Sequence, residues 1–254
     1  MTRLSSTPLS DDPAPRPRTA HEAVIVGIRE HAPGTRSLFL KLPTQQRFLF
    51  KPGQFLSFLL PVAGKELTRP YSIASDPEES TELEICFNLA PNGLGSQYLF
   101  ERTIGDALRF TGPWGTFVFD QPPQGVECVF LADRTGIAAM RPMIRHALSL
   151  GEQFPVQLLY GAPQEEELLY RAELEDLARM SARFRFAPLL SAPTSEWLGL
   201  RGTLGEQVQQ RYLNADDDRS RHFYICGIGS IVTELRDTLR RAGYERRAVH
   251  YEKW

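Results

Sequence analysis

The chain has 254 residues, 42% of them apolar and 24% charged, with a formal net charge of −2 at pH 7. That length holds one large domain or two modest ones, each with its own core, and the composition excludes disordered and collagen-like classes. The balanced charge, without a long run of Lys and Arg, argues against binding nucleic acid.

Met1 to Ala20 is rich in Ser, Thr, Pro and charge, lacks the apolar core of a signal peptide, and reads as a flexible leader. From His21 to about residue 122, short β-rich segments broken by Gly, Pro and Asn predict an antiparallel barrel. The expected strands are Ala23–Ile28, Ser37–Leu42, Gln54–Leu60, Arg69–Ile73, Leu83–Asn88, Leu108–Thr111 and Thr116–Phe119. On the fourth, Arg69 and Tyr71 project from one face, because strand side chains alternate. A guanidinium beside a phenol suits a ligand with a phosphate and a flat heterocycle. Pro70 stiffens the link, and Ser72 offers a hydroxyl or N–H to the ring edge. Cys86, Phe87 and Asn88 lie on a strand that alternates less cleanly, as one touching both core and ligand would. Pro91-Asn92-Gly93-Leu94-Gly95-Ser96 then leads into a helix over Gln97–Arg102, whose N-terminal N–H groups put Gly93, Gly95 and Ser96 near a phosphate. Gly112-Pro113-Trp114-Gly115 makes a tight turn.

After Pro122-Pro123, apolar strands alternate with helices, which predicts a parallel sheet over residues 123–254. Strands are expected at Val126–Leu131, Pro155–Tyr160, Phe184–Leu190, His222–Cys226 and Ala248–Tyr251, with helices at Gly136–Ser149, Glu165–Met180, Leu204–Tyr212 and Ile228–Ala242. Ligands bind such sheets at the carboxyl ends of the strands, which selects the loops holding Thr135 and Gly136, Tyr160, Ser191–Pro193, and Cys226 and Gly227. Arg134, Arg141 and Arg145 are spaced to share a helix face, read as solvated.

Three cysteines (Cys86, Cys128, Cys226) with no C-x-x-C cannot supply four thiolates for an iron–sulfur cluster or the ligands of a structural zinc, and the five histidines have no metal-ligand spacing. No metal site is expected, and any iron–sulfur partner would be a separate protein. Few cysteines without a secretory signal fit the cytoplasm, and no apolar run approaches the ~20 residues that cross a bilayer.

Arg69-Pro70-Tyr71-Ser72 matches the R-x-Y-S flavin motif of the ferredoxin-NADP reductase superfamily, and the chain from His21 to Trp254 resembles that family in four further places. These are Pro52-Gly53-Gln54-Phe55, Gly93-Leu94-Gly95-Ser96, Cys226-Gly227 and the terminal Glu252-Lys253-Trp254. The resemblance implies a Greek-key flavin barrel followed by a Rossmann-like nucleotide domain, with FAD as cofactor and NADPH or NADH as donor. It implies electron transfer to a separate ferredoxin, flavodoxin or oxygenase component, by a monomer. It also implies that Cys226 lies against nicotinamide, that Glu252 forms a polar relay with Ser72, and that Trp254 covers the flavin face opposite Tyr71.

The chain departs from its relatives after the first parallel strand. Where they carry G-G-T-G-I-A-P, it has Asp133-Arg134-Thr135-Gly136-Ile137-Ala138-Ala139. A carboxylate ~5 Å from a phosphate, at an effective dielectric of ~20, is repelled by roughly 3 kcal/mol, about two decades of affinity, unless Arg134 turns inward. For a 2′-phosphate the nearest cations are Arg171 and Arg201, with Tyr170 as an adenine partner. A second reading follows: a flavin-bearing electron-transfer module whose nucleotide site has decayed.

Overall fold

The computed structural model describes residues 19–43, 47–79, 81–119, 124–150 and 154–253. The first eighteen residues of the expected leader, Pro122-Pro123 and Trp254 lie outside the described residues.

The first half forms a six-stranded antiparallel sheet from β1 (His21–Ala32), β2 (Thr35–Lys41), β3 (Phe55–Val62), β4 (Lys65–Ser72), β5 (Glu82–Asn88) and β6 (Ala107–Trp114), in the order β4-β3-β6-β1-β2-β5. β3 shows why these segments are strands: Leu56, Phe58 and Leu60 alternate into a core of aromatic and aliphatic side chains while their neighbours face outward. The β3–β4 hairpin closes on Ala63 and Gly64, both with positive φ (50° and 75°), the backbone that matches strand twist in a two-residue loop. A bridge between Ile73 and Ile85 brings the β4 and β5 edges together, closing the sheet as a barrel. Between β5 and β6 lies the short helix α1 (Leu94–Phe100), which starts three residues earlier than the sequence suggests.

The second half is a parallel sheet of β7 (Cys128–Asp133), β8 (Val156–Ala162), β9 (Phe184–Leu190), β10 (Leu200–Arg201), β11 (His222–Gly227) and β12 (Val249–Lys253), ordered β10-β9-β8-β7-β11-β12. It is covered by α2 (Ile137–Ser149), α3 (Arg171–Met180), α4 (Leu204–Val208) and α5 (Gly229–Arg241). β7 is buried along its whole length, as expected of a central parallel strand.

Three expectations need correction. Thr116–Phe119 is not a strand: Phe117 and Phe119 leave the barrel and pack on Phe130 and Tyr224 of the second sheet, where ring burial outweighs ladder hydrogen bonds. The helix expected over Glu165–Met180 is split. Glu165–Glu167 makes one 3-10 turn, Leu168 and Leu169 are buried, and Tyr170 takes a left-handed conformation (φ 56°) before α3 begins. The expected Leu204–Tyr212 helix ends as α4 and continues as a π turn over Gln209–Leu213.

Candidate functional site

Barrel and parallel sheet meet at a cleft of about 520 Å³, a usual size for a ligand site. β4 brings Arg69, Pro70, Tyr71 and Ser72 to one wall, and β5 brings Cys86, Phe87 and Asn88. The α1 entry supplies Gly93, Gly95 and Ser96, the turn into α2 supplies Thr135, and β12 supplies Glu252.

The Tyr71 ring is half-buried and held edge-on between Phe58 (5.8 Å) and Phe87 (5.4 Å), and burial pushes its phenol up to about 12. Arg69 is exposed, with Nη1 donating to its neighbour's carbonyl, Thr68 O (2.9 Å), which leaves other N–H groups for a phosphate. A β-carbon on Gly95 would come within 2.7 Å of Arg69 Cγ, so only glycine lets α1 lie against the arginine stem. The Ser96 hydroxyl is already engaged: it donates to Gly93 O (2.9 Å) and accepts from the Ala90 N–H (3.0 Å). That fixes the turn, and the first N–H groups of α1 have no partner within the helix.

Where the end of β4 approaches β12, Ser72 Oγ lies 3.5 Å from Glu252 Oε1. Burial pushes the Glu252 carboxyl up to about 7, against an opposing effect of the serine hydroxyl, so it is about half protonated at neutrality. Parallel pairing sets Cys226 of β11 directly beside Glu252 of β12. The Cys226 side chain is fully buried behind the cleft, and burial pushes its thiol well above the ordinary range. Gly136 explains why the loops after β7 and β11 touch: a β-carbon there would stand 2.1 Å from the Cys226 carbonyl oxygen. A β-carbon on Gly227 would likewise stand 2.5 Å from Asp133 Cβ.

Several sequence expectations are overturned. Tyr160 is fully buried, its hydroxyl accepting from the Leu169 N–H (3.0 Å), so it presents nothing to a ligand. Tyr170 is also buried, between the Arg141 guanidinium (4.6 Å) and the His31 ring (5.0 Å), and donates to Glu84 (2.8 Å), leaving no face for adenine. Arg171 pairs with Glu165 and Glu175, and Arg201 donates to the carbonyls of Thr194, Ser195 and Trp197. Arg141 and Arg145 are not on a solvated face. Arg141 donates to Glu84 (2.8 Å), Glu173 and the Ala74 carbonyl, and Arg145 to Asp76 (3.0 Å) and Glu173, riveting α2 and α3 to the barrel. Arg134 turns outward to Glu167 (3.8 Å) rather than inward.

Sequence reading missed Phe55, Ala90, Ala138 and Lys253, which complete the cleft, and the Glu84–Arg141 contact behind it. A lone carboxylate inside the apolar run Leu83–Phe87 was the available signal for the latter.

Two family matches cover most of the chain: an oxidoreductase FAD-binding domain over residues 23–119 and an oxidoreductase NAD-binding domain over 130–237. Ferredoxin–NADP reductase B of Sorangium cellulosum is 36% identical over 237 residues, covering 92% of this chain and 97% of that protein. The chain belongs to the ferredoxin-NADP reductase family. A solved ferredoxin NADP+ reductase from Neisseria gonorrhoeae, with bound FAD and NADP, superposes with a TM-score of 0.79 at 25% identity, covering 92% of this chain and 98% of that one. The toluate 1,2-dioxygenase electron transfer component of Pseudomonas putida is 25% identical over 97% of this chain and 71% of its own length. The protein is therefore an oxidoreductase built on an FAD-binding barrel and an NAD(P)-binding sheet. The cleft suits the flavin: an exposed guanidinium for the pyrophosphate, a half-buried phenol for the ring, and a glycine where a side chain would fill the space. Among the described residues no helix is long and apolar enough to cross a membrane, and no cluster of three or more His, Cys, Asp or Glu could hold a metal ion.

Proposed function

We propose that this reductase moves electrons between NAD(P)H and a separate one-electron carrier protein, a ferredoxin, a flavodoxin or an oxygenase component, through FAD held in the cleft. The observation that carries this reading is the meeting of Arg69, Tyr71, Ser72 and Glu252 with Thr135 in one cleft, where the two sheets join. Bound there, the flavin supplies the conversion of a two-electron hydride donor into single electrons.

The chain's own residues bind, orient and exclude water. Arg69 and the first N–H groups of α1 hold the pyrophosphate, with Gly93, Gly95 and Ser96 shaping the turn. Tyr71, Cys86, Phe87 and Asn88 line the ring site. Ser72 and Glu252 face the reacting edge, where a carboxyl raised to about 7 keeps a proton part of the time at neutral pH and can both give and accept a hydrogen bond. Thr135, Gly136, Cys226 and Gly227 form the nucleotide side, and the family's terminal aromatic position, Trp254 in this sequence, is assigned the role of covering the flavin ring. The division into a barrel of residues 21–122 and a nucleotide domain of 123–254, a monomeric state, action in the cytoplasm and no role with nucleic acid belong to the same proposal. Phe117 and Phe119, packed under the second sheet, support a firm junction between the two parts.

A second reading, an electron-transfer module that ignores NAD(P)H, is favoured by one observation, the carboxylate of Asp133 in the nucleotide loop. Anaerobic absorbance of the yellow protein separates the two. Bleaching by NADPH or NADH supports the reductase, and the faster of the two identifies the donor. Protein that dithionite bleaches and neither nucleotide does sustains the module.

A further inference from the structure

Asp133 ends β7, the strand flanked by β8 on one side and β11 on the other, where a doubly wound sheet opens its crevice for a dinucleotide. Its side chain does not point at open solvent. It is 7% exposed, and Oδ2 accepts from the Ile228 N–H at 3.4 Å. Ile228 is the N-cap of α5, a helix of 13 residues, so the carboxylate lies at the positive end of a helix dipole. The approach is close enough that a β-carbon on Gly227 would come within 2.5 Å of Asp133 Cβ. Arg134 does not take this charge up. It adopts a left-handed backbone (φ 48°), and its guanidinium, 42% exposed, turns towards Glu167.

The crevice is bordered by the turn from β7 into α2, where Asp133 itself sits, and by the start of α5, and an anion already occupies this junction where a dinucleotide phosphate would be received. We propose that Asp133 is a built-in competitor for that phosphate, so that this chain binds NAD(P)(H) with uptake of a proton at Asp133. The proposal rests on the reading of NAD(P)H as donor.

The charges around Asp133 favour this linkage. Among the described residues Arg134, on its own loop, is the cation that acts on it, Glu167 in the turn after β8 opposes that cation, and Tyr160 of β8 and Cys226 of β11 are kept neutral by burial. Burial already pushes the Asp133 carboxyl upward, with the Ile228 N–H and Arg134 acting against it. A phosphate brought alongside pushes it further, so the protonated form gains in the complex and affinity rises as pH falls.

The test is titration calorimetry of FAD-loaded protein with NAD+ and with NADP+ at pH 6 and pH 8, repeated in two buffers of different ionisation enthalpy to count protons. NAD+ carries the decisive comparison, because it has no 2′-phosphate to titrate in this range. Asp133→Asn keeps an oxygen for the Ile228 N–H and removes the charge. Wild type should bind NAD+ at least tenfold more tightly at pH 6 than at pH 8, taking up a proton. The Asn variant should show neither effect and bind at least tenfold more tightly than wild type at pH 8, about 1.4 kcal/mol. Binding by the variant alone also carries the proposal. Equal affinities for the two proteins at both pH values overturn it and leave the donor reading intact. If neither protein binds either nucleotide while dithionite still reduces the flavin, the proposal and the donor reading fall together. Asp133→Ser carries the same expectations should the Asn variant fail to fold.

Discussion

Glu252 shows how one side chain can acquire chemistry from its surroundings alone. Among the described residues, burial and the Ser72 hydroxyl are what act on it. Its carboxyl titrates near 7 because β12 carries it into the cleft wall, and the Ser72 hydroxyl at 3.5 Å is too distant to reverse that. A folded-state value near 7 against an ordinary value of 4.5 means that the native protein takes up this proton between those limits. Its stabilising contribution is therefore complete below about pH 4.5 and is lost as pH rises through 7. Glu252→Gln should match wild type at pH 5 and exceed it at pH 8 by on the order of 1–3 kcal/mol, read from denaturant unfolding of flavin-free protein. A difference of equal size at both pH values would mean that the carboxyl titrates normally. The same residue marks what was legible locally. The shared face of Arg69 and Tyr71 was legible because alternation on a strand is a short-range rule, and both line the cleft with Pro70 and Ser72, whereas the value near 7 depends on burial that no local pattern records.

At the scale of elements, the loops after β7 and β11 behave as one piece, because Gly136 packs directly on the Cys226 carbonyl and Gly227 on Asp133. Gly136 has an ordinary helical backbone (φ −58°), so its requirement is for space and not for conformation. Gly136→Ala must part backbone from backbone and should cost roughly 1–3 kcal/mol, seen as a lower midpoint in urea. An unchanged midpoint would show that the loops separate freely. The sheet was readable in the sequence because apolar strands and helices alternate with turn residues between them. The split of Glu165–Met180 was not: three glutamates and good helix formers run continuously, and the break at Tyr170 comes from burial of Leu168, Leu169 and Tyr170 against distant residues. Thr116–Phe119 failed for a related reason, since alternating apolar residues read as a strand whichever core receives them.

At the scale of the molecule, Arg141 and Glu84 join the two halves. The pair measures 2.8 Å, with side chains 15% and 4% exposed, and β5 carries Glu84 two residues from Cys86 in the cleft. Tyr170 and Ser37 also donate to Glu84, so the carboxylate is well satisfied only while both halves stay docked. Arg141→Ala leaves that charge buried without its cation and should cost about 3–5 kcal/mol in chemical unfolding. Arg141→Met together with Glu84→Gln should recover most of the loss. If the double variant is no better than the single one, the contact acts through packing and not charge. Residues 57 positions apart in the chain leave no periodic trace of each other, which is why these arginines read as a solvated face.

The pairing of β11 with β12 also bears on which changes of chain length this fold can accept. Cys226 meets Glu252, and Tyr224 meets His250, with ring centroids 4.5 Å apart, so the parity of β12 decides which side chain faces the flavin cleft. An inserted or deleted residue between Val249 and Glu252 would turn the strand over and bring a neighbour, the phenol of Tyr251 or the ammonium of Lys253, to the place of the carboxyl. The 3-10 turn Arg246–Ala248, just upstream, lies outside that ladder and can absorb such a change. Indel tolerance in this segment is thus divided at Val249, with permissive sequence before it and fixed spacing after it.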